Sequence, residues 1–106
     1  MKVYYTIGDR VPYLRCLVRS ESTGLPLDLS GYTAKFTMLD SSGNPVIDGA
    51  AAVIEDATGG IVRYEWASGD LSAAGVFRGQ FVFNEGTSGE FHVPNPLQGY
   101  INITVR

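Results

Sequence analysis

The chain has 106 residues, a formal net charge of −3 and a single cysteine, Cys16. This length suits one domain, so we expect residues 1–106 to form a single unit with a core of moderate size. Without clustered Lys and Arg a nucleic-acid surface is not expected, one cysteine excludes an internal disulfide, and no apolar run is long enough to span a membrane. No signal-peptide pattern follows Met1, so we expect synthesis in the cytoplasm.

Short stretches of alternating apolar and polar residues recur along the whole chain, and this pattern predicts strands. We expect them over residues 3–7, 13–19, 32–39, 60–66, 76–83, 90–93 and 100–106. Residues 25–29 are expected to be extended, and 45–47 with 50–56 to form a weaker pair or one interrupted strand. About seven to eight short strands in roughly a hundred residues predict an all-β, immunoglobulin-like antiparallel β-sandwich, with a small barrel as the alternative.

The stretch over residues 60–83 supplies most of the large apolar side chains. Two aromatic strands flank a short corner, in which Asp70 is expected to cap one helical turn that Gly75 closes. We expect this pair of strands to anchor the core through four aromatic side chains: Tyr64, Trp66, Phe77 and Phe81.

Residues that carry chemistry are few. His92 is the only histidine, so a nucleophile would lack the usual partners of its base, and we expect no catalytic residues and no enzyme. Cys16 alternates with apolar residues and is expected to be buried as a small apolar side chain. Acidic residues in loops or at strand ends match no calcium-loop spacing, so we expect turn-forming roles and no metal or cofactor site: Asp40, Asp48, Glu55 and Asp56.

Tyrosines are more numerous than a small core needs. Tyr4 and Tyr5 are adjacent, so in a strand they point to opposite faces and at least one can lie away from the core. With Tyr13, they are the expected interface residues, since exposed tyrosines anchor protein interfaces. Residues 1–7 are expected to add to a neighbour's sheet, so their deletion should leave a folded monomer but abolish its incorporation into a larger assembly.

Two segments carry a family resemblance. Residues 24–31 read GLPLDLSG and precede the alternating strand at 32–39, while residues 60–81 read Gly60-x-Val62-x-Tyr64-x-Trp66, then Asp70, then Gly75-x-Phe77-x-x-x-Phe81. Together they resemble the immunoglobulin-like domain at the N-terminus of phage baseplate upper proteins and short structural proteins of tailed phages. The resemblance covers about residues 9–105. It departs at Ser30 and Phe77, where the family often has Thr and Tyr.

The resemblance implies a non-enzymatic structural component of a tailed bacteriophage virion. Such a protein would dock at the neck, tail or baseplate through strand edges and loops, in many copies within a symmetric assembly of virion structural proteins. The short chain favours an accessory or connecting part. The alternatives are a head decoration protein and a carbohydrate-binding or host-adhesion module that uses the tyrosines and the loops at 40–44 and 84–89 on a host-surface glycan. We expect neither a nucleic-acid nor a membrane partner.

Overall fold

A computed structural model describes residues 2–20, 23–94 and 100–106. Within these ranges the chain forms nine strands and no helix. The strands are β1 (Lys2–Tyr5), β2 (Leu14–Leu17), β3 (Ala34–Leu39), β4 (Pro45–Ala51), β5 (Val53–Asp56), β6 (Ile61–Tyr64), β7 (Gly75–Phe83), β8 (Phe91–Val93) and β9 (Ile101–Val105).

The strands form two sheets that pack face to face. The larger sheet has the order β1-β9-β7-β3-β4, with β8 beside β7, and the smaller has the order β2-β6-β5. Strands β2, β5 and β6 thus take the places of strands B, D and E of an immunoglobulin sandwich, and β3, β7 and β9 those of C, F and G. The predicted all-β, immunoglobulin-like sandwich is confirmed.

One pair departs from the antiparallel expectation. Strand β1 runs parallel to β9, with Lys2 opposite Asn102 and Tyr5 opposite Val105. The reason is that β1 and β2 belong to different sheets, so the first strand pairs with the last strand of its own sheet instead of forming a hairpin with its successor.

Strands β4 and β5 resolve the alternative left open for residues 45–56. They are consecutive in the chain but do not pair, because β4 pairs with β3 and β5 with β6. The chain crosses between the sheets at Ala52, whose N–H donates to the carbonyl of Ala34 over 3.0 Å. This stretch is therefore one interrupted strand that changes sheet.

The core lies between the two inner faces. Strand β7 buries alternate residues and is central, since β3 pairs along one edge while β8 and β9 share the other. Phe36 of β3 contacts the rings of Tyr64 at 4.7 Å, Phe81 at 5.1 Å and Trp66 at 5.8 Å between centroids. All four expected anchor side chains are buried: Tyr64, Trp66, Phe77 and Phe81.

The predicted helical turn between β6 and β7 is wrong. Residues 68–71 form a hydrogen-bonded turn, and the Asp70 carboxylate accepts from residues that precede it. Its Oδ2 accepts from the Ala67 N–H at 2.7 Å and from the Tyr64 hydroxyl at 2.6 Å. Because this oxygen accepts from residues that precede Asp70, and not from the N–H groups that follow it, Asp70 stabilises the turn after β6 and does not cap the start of a helix.

Candidate docking surface

The sandwich is open on one side and closed on the other. Five strands have one unpaired edge within the described residues: β1, β4 and β8 in the larger sheet, β2 and β5 in the smaller. The chain itself joins β4 to β5 across one side. On the other side the ends of β1 and β2 line a common groove of about 460 Å³. We call β1, β2 and the connecting residues 6–13 the open side.

The five edges differ in how well they are protected against pairing with another chain. Strand β8 has only three residues, and very short edge strands resist such pairing. The β3–β4 ladder has register shifts, and β4 begins at Pro45 and contains Gly49 with a φ of 66°. The ladder between β5 and β6 shifts register near Glu55. Bulges, prolines and strong local twist are devices that block edge-to-edge pairing. The regular registers of β1 and β2 have no such interruption.

The hydrogen-bond pattern identifies the free backbone groups of β2. The Val18 N–H donates to the Gly60 carbonyl over 2.7 Å, and Cys16 is opposite Val62 in the same register. Successive residues of an antiparallel strand point their N–H and C=O groups to alternate edges. Arg15 and Leu17 therefore direct theirs away from β6, toward the open side.

The loop before β2 is fastened to the core. The Tyr5 hydroxyl donates to the Pro12 carbonyl over 2.9 Å, and its ring packs edge-on against Trp66 at 5.1 Å. The Arg10 Nε also donates to the Trp66 carbonyl over 3.3 Å. Tyr5 is only 8% exposed, and burial raises the pKa of its phenol. The structure thus places Tyr5 in the core and not, as expected, at an interface.

Tyr4 and Tyr13 remain on the surface of the open side, with 65% and 42% of their areas exposed. Each ring lies beneath a guanidinium group. The Arg106 group is 5.8 Å from the Tyr4 centroid, and the Arg63 group 5.6 Å from that of Tyr13. Such cation–π contacts hold exposed rings in place at a small gain in stability.

A network of charges borders Tyr13 on the smaller sheet. Glu55 accepts hydrogen bonds from both Arg15 and Arg63, and Arg63 also contacts Glu65 at 2.6 Å. The Glu65 hydrogen bond is the main cause that raises the pKa of Arg63. Arg15 and Arg63 are directly opposite each other in the register, so Glu55 offsets the repulsion between two like charges.

The remaining residues considered for chemistry lie apart. His92 is partly exposed, with Nε2 at 3.9 Å from Glu90. Cys16 is half-buried against the core, and burial raises the pKa of its thiol, which disfavours the reactive thiolate. Asp40 accepts from the N–H groups of Ser42 and Asn44, both at 2.9 Å, a turn-capping role.

The other acidic residues considered for a metal site either hydrogen-bond within turns or lie apart from one another. Asp56 accepts from the Gly59 N–H at 3.0 Å, a turn-capping role, while Asp48 lies exposed on β4. Across the described ranges, no three His, Cys, Asp or Glu side chains are grouped as a metal ion would require. No described helix is long and apolar enough to cross a membrane.

The sequence did not lead us to predict that β2 contributes to this surface. They assigned edge pairing to residues 1–7 and did not consider the outer edge of β2. One signal was available: Leu17 is a large apolar residue on the face assigned to Arg15 and Arg19, and it is 43% exposed. The contacts of the two arginines with the tyrosine rings could not be predicted, because Arg63 and Arg106 are distant in the sequence from the rings that they cover.

The fold and its surface define the class of the protein, an immunoglobulin-like β-sandwich with one open side. Residues 21–95 match the family of the BppU N-terminal domain. The chain belongs to this family, that of the N-terminal domain of the phage baseplate upper protein, and the resemblance seen in the sequence is confirmed. The match begins after β2 and ends after β8, and no curated protein matches the chain significantly.

The family indicates a phage baseplate structural protein, a virion component that interacts with other virion structural proteins.

Proposed function

We propose that this protein is a non-enzymatic structural part of the virion and that it docks onto neighbouring virion proteins through its open side. The observation that carries the proposal is the pair of uninterrupted edges, β1 and β2, that face one groove. Unpaired edges offer backbone groups to another protein. The β4 and β5 edges carry interruptions that oppose pairing, and β8 is only three residues long.

The side chains around the groove support the same surface. Tyrosine and arginine are the residue types most enriched among those that dominate binding energy. Tyr4 and Tyr13 are exposed here. Because a guanidinium group already holds each ring in place, the two side chains lose less conformational entropy when a partner binds. We therefore expect both rings to be central contacts.

The test is the amount of protein in purified particles, measured by quantitative mass spectrometry and normalised to the portal and major capsid proteins. We expect the Tyr4→Ala, Tyr13→Ala double variant to fold normally and to be incorporated poorly. Val53→Ala, an exposed apolar position on the opposite edge, is the matched control and should be incorporated normally. Normal incorporation of the tyrosine variant would refute docking through the open side.

Deletion of residues 1–7 is a poorer test of docking than the point variants. That deletion would remove β1 from the larger sheet and Tyr5 from the core, so a failure to assemble would follow from lost stability alone.

Glycan binding is the second candidate, because exposed tyrosine rings beside cations also suit sugars. The guanidinium groups of Arg63 and Arg106 already cover one face of each ring, which leaves less flat surface for stacking. Binding of the isolated protein to host-surface glycans, lost on Tyr4→Ala, would favour this candidate. Particle copy number far above that of the portal would favour head decoration instead.

A further inference from the structure

We propose that the outer edge of β2 receives an extended strand from a neighbouring virion protein, an inference that rests on the docking function proposed above. The incoming strand would complete the smaller sheet. Its main chain would hydrogen-bond to β2. Its side chains would enter the groove beside β1 near Arg15 and, near Leu17, a second groove of about 630 Å³ that β2 shares with β8.

The fold leaves a place for this strand. The smaller sheet of an immunoglobulin sandwich has four strands in the order A-B-E-D. Here the described residues supply only β2-β6-β5, in the places of B, E and D. The first strand, β1, pairs with β9 in the larger sheet, so no described strand occupies position A beside β2.

The backbone of β2 is suited to pairing on that edge. Arg15 and Leu17 point their N–H and C=O groups outward, as the Val18–Gly60 hydrogen bond requires. The strand contains neither glycine nor proline and pairs regularly with β6 along its whole length. By contrast, the β1 edge is limited beyond Tyr5, since the Thr6 N–H is bound by Asp9 Oδ2 at 2.9 Å.

The groove indicates the chemistry of the incoming strand. Val3, Pro12 and the exposed Tyr13 are among the residues that line it, and they favour apolar side chains at alternate positions of the occupant. The basic residues Lys2 and Arg15 also line it, and since Arg15 is already paired with Glu55, Lys2 is the cation that a partner's carboxylate would meet. The complementary partner is therefore an extended segment that alternates apolar residues with polar ones, among them carboxylates.

Amide hydrogen exchange tests the pairing directly. In the isolated protein, the outward amides of Arg15 and Leu17 should exchange fast, while the inward amide of Cys16 is protected. In purified particles we expect exchange at Arg15 and Leu17 to slow by about tenfold or more, as a new main-chain hydrogen bond requires. Equal exchange of these two amides in isolated protein and particles would overturn the proposal.

A pair of variants at one position provides the second test. Leu17→Pro removes the outward N–H without breaking a bond to β6, whereas Leu17→Ser removes the same apolar side chain and keeps the N–H. We expect Leu17→Pro to be incorporated about tenfold less than Leu17→Ser. Equal incorporation of two folded variants contradicts strand addition. If the proline variant fails to fold, the exchange measurement decides.

The two proposals fail differently. Protein absent from particles, or tyrosine variants incorporated normally, would contradict docking through the open side. Protein that is present and sensitive to Tyr4 and Tyr13, but with fast exchange at Arg15 and Leu17, would preserve docking and overturn strand addition alone.

Discussion

Replacing Gly79 by alanine should destabilise the fold, although alanine is normally the better residue in a strand. Gly79 lies in β7 at the centre of the larger sheet, with its α-carbon facing the core. A methyl group there would lie 2.9 Å from Phe36 Cζ and 3.0 Å from Ile103 Cδ1, closer than packed atoms tolerate. Both neighbours are fully buried and have little room to move.

Two opposing effects set the magnitude. Overpacking a core costs about 1–3 kcal/mol, while replacing glycine stabilises by about 0.4–1 kcal/mol through the unfolded chain. We expect a net loss of about 1–2 kcal/mol in the free energy of unfolding, with a fall in melting temperature of about 4–8 °C per kcal/mol.

Urea denaturation followed by Trp66 fluorescence measures this loss, since the indole is buried in the folded state. Gly89→Ala is the matched control, because its added methyl group would come no closer than 3.8 Å to another side chain. Phe36→Leu should relieve part of the clash, so the double variant with Gly79→Ala should lose at least about 0.5 kcal/mol less than the sum of the two single losses. A Gly79→Ala protein as stable as the Gly89→Ala protein would refute the packing argument.

Three further changes probe the corner, the charge network and the first strand. Burial, with the hydrogen bond to Asp70, raises the pKa of Tyr64, so the phenol keeps its proton to higher pH in the folded state than in the unfolded chain. The free energy of unfolding should therefore be full below the ordinary pKa of about 10 and fall as the pH rises above it. This alkaline loss should be smaller in Tyr64→Phe, in which Tyr5 still contributes, and an equal loss in the two proteins would contradict the role of Tyr64. Glu55→Gln should cost up to about 1 kcal/mol at low salt, and less at high salt, because it leaves two arginines facing each other; a salt-independent loss would contradict this. Tyr5→Ala should lower the free energy of unfolding by about 3–5 kcal/mol, and Tyr4→Ala by less than about 0.5 kcal/mol. Thermal unfolding measures both losses, and similar values would contradict the placement of the two side chains on opposite faces.

Much of the fold was predictable from periodicity. Alternation marked the strands around Phe36 and Phe81 and the inward face of residues 101–105, because one face of each strand is buried and the other is not. Sheet membership was not predictable for β4 and β5. Nothing in residues 45–56 signals that hydrogen bonding changes from β3 to β6 at Ala52, since either pairing satisfies the same local backbone.

The surface was predictable only in part. The sequence indicated that Tyr4 and Tyr5 face opposite ways, but choosing between them required the position of Trp66, which packs against Tyr5 from a distant strand. The prediction that Asp70 caps a helical turn was wrong for a related reason. A good N-cap residue was identified, but its carboxylate hydrogen-bonds to Tyr64 and Ala67, and local propensity gives way to such contacts.

The parallel pairing of β1 with β9 also determines how the molecule bears mechanical load. Two parallel neighbours have their starts at one end of the sheet and their finishes at the other. A force that pulls Lys2 and Val105 apart therefore acts along both strands and shears their hydrogen bonds together instead of opening them one by one. Single-molecule stretching between these residues should meet higher resistance than stretching across the β3–β4 hairpin, whose bonds would open in sequence.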